Sequence, residues 1–171
     1  MPMPDTAYTP SVIINPYPRN GATDVSYIEF ISPYHVLGQS MDALARRGDG
    51  DPGWITMIDF EAVVTVGQEK VRIVVPRGML TDLTSRPRPF RDLIDLVGAH
   101  APASTLHDFL YVVWQDFNRK ATENDRLYAD NVFLVALKKL RVPQAELLYD
   151  AVRRFGKTAY RERNPVRYVK I

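Results

Sequence analysis

The 171-residue sequence predicts an α+β domain: a small antiparallel sheet or hairpin in the N-terminal half, followed by a four-helix C-terminal half. Two observations carry this. Residues 54–66 and 70–75 are dense in Val and Ile, and Gly67-Gln68-Glu69 between them reads as a hairpin turn. From Pro89 onward the apolar residues recur every three to four positions, which is the period of helices that bury one face. Strands first and helices second is an α+β plan, not the strand–helix alternation of a dinucleotide-binding fold.

The elements follow in order. Residues 1–19 carry prolines at 2, 4, 10, 16 and 18, which rule out a helix or a central strand. They read as an extended proline-rich arm with one short apolar piece, Val12-Ile13-Ile14. Such an arm buries too little to hold itself in place and gains order by lying on its own domain, on a neighbouring copy, or on another protein. Residues 20–171 are expected to form a single domain. Residues 25–31 read as a strand, 41–47 as one or two helical turns, and 48–53 as a Gly/Asp loop without the ligand spacing or closing glutamate of a calcium loop.

The helical half is expected to begin with a short helix over 90–97, stopped at Gly98. A second helix opens at Ser104 as N-cap and runs to about Lys120, with Leu106, Phe109, Leu110, Val113 and Phe117 inward. A third covers 123–140, burying Ala129, Val132, Phe133, Ala136, Leu137 and Leu140. A fourth has Pro143 in its first turn, buries Leu147, Leu148, Ala151, Val152 and Phe155, and stops at Gly156. Residues 164–171 suggest a final short strand. No internal repeat is visible.

Composition removes several classes of function. With no cysteine, thiolate catalysis, iron–sulfur clusters, cysteine zinc sites and disulfides are excluded. The net charge of +2, from 22 basic and 20 acidic residues, does not argue for nucleic acid. The late basic residues Lys138-Lys139, Arg141, Arg153-Arg154 and 161–167 read as a solvated helix face with a basic tail. No apolar run reaches the ~18 to 20 residues of a membrane span, and the proline-rich start has no signal-peptide pattern. The expectation is a soluble protein without a membrane partner, not exported by the general secretory route. There is no G-x-G-x-x-G and no Walker loop.

Three short patterns carry residues capable of chemistry: Thr81-Asp82-Leu83-Thr84-Ser85-Arg86-Pro87 after a strand, His107-Asp108-Phe109-Leu110-Tyr111 in the early turns of the second helix, and Ala129-Asp130-Asn131-Val132-Phe133 with Ala136-Leu137 in the third. Together with Phe155-Gly156-Lys157-Thr158-Ala159-Tyr160 they make residues 76–160 resemble the phage-associated domain-of-unknown-function-1353 family, with its T-D-x-x-S-x-P, H-D-x-L-Y, A-D-x-x-F-x-x-A-L and F-G-x-x-A-Y patterns. The resemblance implies a tailed-phage origin and a fold, but no activity. The arm and the loop over 37–53 lie outside the resembling core.

These residues allow three readings, two of them chemical and one structural. If the helices pack side by side, His107 with Asp82, Asp108 and Asp130 can hold a divalent metal that lowers the pKa of a bound water. Ser85 beside His107, with Asp82 or Asp130 orienting the ring, could be an activated hydroxyl, although the motif is not a G-x-S-x-G elbow. The same residues also have a purely structural reading. Asp82 and Ser85 before Pro87 suit a hydrogen-bonded turn, and Asp108 in a first helical turn suits the macrodipole. His107 can pack among aromatics, and Asp130 can pair with it to lock the helices to the turn. His35 and His100 have no informative spacing, and Tyr111, Tyr128, Tyr149 and Tyr160 read as amphipathic boundary residues.

The expectation is a structural or accessory virion protein of a tailed bacteriophage, a tail or head component, made in the host cytoplasm. It would assemble through protein–protein contacts with other phage structural proteins or with copies of itself, through residues 1–19. No cofactor is required under this reading. The alternative is a small metal-dependent hydrolase built on the His/Asp cluster, with a divalent metal as its cofactor.

Overall fold

A computed structural model describes residues 8–39, 53–81 and 98–171. The expected helix over 90–97, the turns over 41–47 and most of the Gly/Asp loop, and with them Asp82 and Ser85, lie outside the described residues. Among the described residues six strands precede four helices: β1 Val25–Phe30, β2 Leu37–Gly38, β3 Trp54–Thr56, β4 Phe60–Val66, β5 Glu69–Val75 and β6 Leu80–Thr81, then α1 Ala101–Val112, α2 Glu123–Lys139, α3 Ala145–Phe155 and α4 Lys157–Arg161. This is the α+β arrangement anticipated from the sequence.

The larger sheet has the order β1-β4-β5 and is antiparallel throughout. Val66 faces Glu69 across a two-residue turn, and Gly67 there has φ 61°, a conformation that glycine adopts without strain. Alternation does the rest. Phe60, Ala62, Val64 and Val66 of β4 and Val71, Ile73 and Val75 of β5 are buried, while Lys70 and Arg72 face solvent. The outer face carries the Arg72–Glu61 ion pair. The single β run expected over 54–66 is two strands. Residues 57–59 break it, and the Asp59 carboxylate there accepts from the Arg77 N–H at 2.8 Å.

The smaller sheet, β2-β3-β6, is completed by the C-terminus. Tyr168 bridges Met79, the Val169 N–H donates to the Gly78 carbonyl at 2.8 Å, and the Leu80 N–H donates to Arg167 at 2.9 Å. The expected final strand is thus an added edge, and it buries Tyr168 to 1 % exposure.

Helices α1 and α2 cover the inner face of the larger sheet. Leu106, Phe109, Leu110 and Val113 meet Val132, Phe133, Ala136 and Leu137 in one core with Ile28, Val64 and Ile73. Each of these side chains larger than Ala contributes about 1.5–3 kcal/mol of burial. The first helix begins at Ala101, three residues before the expected Ser104 cap, because Pro102 sits at a first-turn position where its missing N–H is no loss. After Val112 it tightens into a 3-10 segment, Val113–Phe117, closed by Asn118 at φ 52°. Thr122 caps α2, accepting from the Asp125 N–H at 3.1 Å. In α3, Leu148 and Ala151 are buried as expected, but Leu147 is 43 % and Phe155 55 % exposed, with Ala145 taking an inward place. Tyr128 and Tyr160 are buried at 1 % exposure, as core residues and not boundary ones.

The arm divides. Pro16, Tyr17 and Pro18 are buried against the domain: the Tyr128 hydroxyl donates to the Pro16 carbonyl at 2.8 Å, and Arg119 lies 4.1 Å over the Tyr17 ring. Downstream, Asn124 and Asn131 hold the Gly21 and Thr23 carbonyls at 2.9 and 2.7 Å. Ahead of Pro16, Val12 is 75 % and Tyr8 39 % exposed.

Gly78 has φ 87°, and a Cβ there would collide with the Val169 carbonyl. Gly78→Ala should therefore detach the C-terminal edge and cost about 2 kcal/mol or more. Chemical denaturation checks the stability, and amide exchange at Val169 and Leu80 checks the edge. Unchanged protection at both amides would refute the assignment.

A buried carboxylate between three helices

Asp130 projects from α2 into the space between α1 and α3 and is fully buried. Its Oδ1 accepts from His107 Nε2 at 2.8 Å and from the Tyr111 hydroxyl at 2.7 Å, both on α1. Its Oδ2 accepts from Arg153 of α3 at 2.7 Å, with Arg126 of α2 at 3.5 Å. Burial alone would raise its pKa. The hydrogen bond and charge of His107, with the hydrogen bonds from Tyr111 and Arg153, outweigh burial and hold the group below the ordinary carboxylate range. The carboxylate is ionised, so His107 Nε2 carries the hydrogen between them. Burial, followed by the nearby Asp130 charge, pushes the Tyr111 phenol well above its usual range, and it remains a donor.

The donors are themselves held. The His107 ring lies between Tyr111 and Phe133, with centroids 4.1 and 4.6 Å away. Arg126, 4 % exposed, donates to the Val152 and Arg153 carbonyls at 3.1 and 3.4 Å and to Glu123 at 3.1 Å. Its guanidinium therefore satisfies carbonyls at the C-terminal end of α3 while facing Asp130. Gly156 follows α3, and a Cβ there would lie 2.6 Å from the Tyr111 hydroxyl oxygen. The glycine is needed for this close approach and not for a positive φ.

The sequence-derived candidates separate. His107 and Asp130 meet, as both the catalytic and the structural readings required. Asp108, on the seventh residue after Ala101, turns away and accepts from the Thr81 hydroxyl at 2.6 Å. It therefore lies beyond the first turn, and Thr81, not the helix N-terminus, is its described contact. Asp82, next to Thr81, and Ser85 lie outside the described residues. Among the described residues no group of three or more His, Asp or Glu side chains is placed to hold a metal ion. At Asp130 both oxygens already accept from protein donors, two of them guanidinium groups, so the described pair fits a metal poorly.

Sequence reasoning missed Arg126, Arg153 and Tyr111 as partners. A signal existed for one of them. Arg126 stands four residues before Asp130, on the stripe that also carries Ala129 and Phe133, and a charged pair on an inward stripe implies mutual neutralisation.

His35 is separate from this cluster. Its Nε2 is 3.0 Å from the Thr105 hydroxyl oxygen, and its ring is 4.7 Å from Phe60. Thr105 donates to the Ala101 carbonyl, so His35 supplies the hydrogen as a neutral ring. His100 is buried at the start of α1.

Asp130→Asn keeps the shape but strands two guanidinium groups, and should cost about 3–5 kcal/mol. Gly156→Ala should perturb the same bond by displacing the Tyr111 hydroxyl. Denaturant titration of both variants, with a mutant cycle, should show coupling, and additive losses would separate the glycine from the carboxylate.

Desolvation lowers the pKa of His35 to about 4. As pH falls from 6.5 towards 4 the unfolded chain takes up a proton that the folded chain does not, so stability falls across that window. A His35→Asn variant should show a shallower slope of stability against pH between those limits, and an unchanged slope would refute this assignment.

Among the described residues no helix is long and apolar enough to cross a membrane. No curated protein and no solved structure gives a significant match. The chain does match the family described as Protein of unknown function (DUF1353) over residues 58–152. The matched span begins before the β4–β5 hairpin, takes in the Asp130 cluster as far as Val152, and leaves out the arm and the Phe155-Gly156 ending. As it covers more than half of the sequence, the chain belongs to that DUF1353 family.

Proposed function

We propose that the protein is a structural or accessory component of a tailed-phage particle, working by protein–protein contact through the residues ahead of Pro16. The observation that carries the reading is the division of the arm: residues 16–18 are buried in the domain, while the preceding stretch presents Tyr8 and Val12 to solvent. A firmly anchored extended segment with exposed apolar side chains can lie along a neighbour at small entropic cost, or add to it as a strand. The phage association comes from the resemblance of the sequence patterns to those of this family. The engagement of Asp130 with four protein donors supports a bracing role for the His107 pair over an acid–base one.

The second reading is metal-dependent hydrolysis. It is favoured by Asp108, half-buried and held at Thr81 immediately before Asp82. A stoichiometric divalent ion that is lost in Asp108→Ala would turn the assignment towards it.

Deletion of residues 1–15 is expected to leave the thermal transition within a few degrees of the full chain. The same deletion should abolish incorporation into particles, as read by mass spectrometry of purified virions. Deletion of residues 1–19 should instead destabilise the domain, because it removes Tyr17. Normal incorporation of the shorter truncation, or absence of the full chain from virions, would overturn the proposal.

A further inference from the structure

The basic residues late in the chain do not form one evenly solvated face. Residues 153–170 hold seven basic side chains and one acidic one, Glu162. Arg167 is taken up by Asp116 at 2.5 Å, and Arg163 lies 5.5 Å from the centre of the Trp114 ring. Arg153 of α3 and Arg161 of α4 instead converge on one carboxylate, that of Glu123 at the start of α2. Arg153 Nη2 stands 3.9 Å from its Oε2 and Arg161 Nη2 3.9 Å from its Oε1, while Arg126 Nη2 is closer, at 3.1 Å.

The three guanidinium groups are unequally engaged. Arg126 is occupied by Glu123, Asp130 and the last carbonyls of α3. Arg153 gives Nη1 to Asp130 at 2.7 Å. Separations of 3.9 Å are too long for hydrogen bonds, so among the described residues Arg153 Nη2 and the Arg161 guanidinium keep their donors free. The Arg161 side chain is 53 % exposed, and Lys157, exposed and four residues before it on α4, lies on the same side of that helix. Four cations thus meet two carboxylates, and positive charge is left over at the surface.

The cations are also held in place. Arg126 is tied to α3, Arg153 to Asp130, and α4 to the body through the Tyr160 carbonyl, which accepts from the Trp114 indole at 3.1 Å. Donors fixed in advance lose little entropy on meeting an anion. Glu123 shows the size of anion that the two forks bracket. A second carboxylate can take the free N–H groups without displacing it. A phosphate backbone is met by cations spaced along its length, whereas these donors sit at one corner.

We propose that the α3–α4 corner beside Glu123 is a docking surface for an acidic segment of a partner protein, one carboxylate of which is held between Arg153 and Arg161, with Lys157 adding attraction. The surface uses none of the residues ahead of Pro16 and stands independently of the virion reading.

Fluorescence anisotropy of a labelled hexaglutamate peptide, mixed with the full chain at low salt, tests this. The peptide should bind, and its hexaglutamine counterpart should not. Arg161→Gln and Lys157→Gln, both at exposed positions, should keep the parent Tm and each weaken peptide binding by about two- to fivefold, as loss of an exposed ion pair does. Lys138→Gln, at another exposed basic position, should leave binding unchanged. Absence of peptide binding, no loss in Arg161→Gln and Lys157→Gln, or an equal loss in all three variants would overturn the proposal. So would tighter binding of a hexathymidine oligonucleotide that the same two variants weaken, since the partner would then be a nucleic acid.

Discussion

The fold depends on how one negative charge is kept inside it. Asp130 sits at zero exposure, where an uncompensated carboxylate would be prohibitive, and every element around it is placed to answer that charge. His107 and Tyr111 come from α1, Arg126 from α2 and Arg153 from α3, so three helices share one electrostatic centre. Apolar contacts between the same helices would tolerate sliding. The carboxylate does not, because its partners must arrive at fixed distances and angles.

Two close approaches make that centre reachable. Gly156 lets the α3–α4 corner come down on the Tyr111 hydroxyl, and Arg126 fills the C-terminal end of α3 from below, binding its last carbonyls. Elsewhere in the domain, Gly78 admits the Val169 carbonyl, and the chain terminus pairs with the small sheet. Both close approaches join residues far apart in sequence, whereas the β4–β5 hairpin is a local element.

This arrangement bears on function through what it leaves unused. Within the described residues the His107–Asp130 pair links α1 to α2, and ahead of Pro16 Ile13 packs against the core while Tyr8 and Val12 face solvent. Asp108 and Thr81 mark the place where the chain enters the 82–97 segment.

The order of strands and helices, the hairpin at Gly67, the inward residues of α1 and α2, and the pairing of His107 with Asp130 as one option were all legible in the sequence. Each is set by a local rule: alternation in a strand, three-to-four spacing in a helix, a glycine at a tight turn. The sequence did not specify that Arg126 and Arg153 neutralise Asp130, that Leu147 and Phe155 turn outward, that residues 16–18 of the arm are buried in the domain, or that Thr81 takes Asp108. Those depend on which faces of distant elements meet. A polar side chain on a helix can cap, pair or ligate with equal local plausibility, and only the groups brought opposite it in three dimensions select among these.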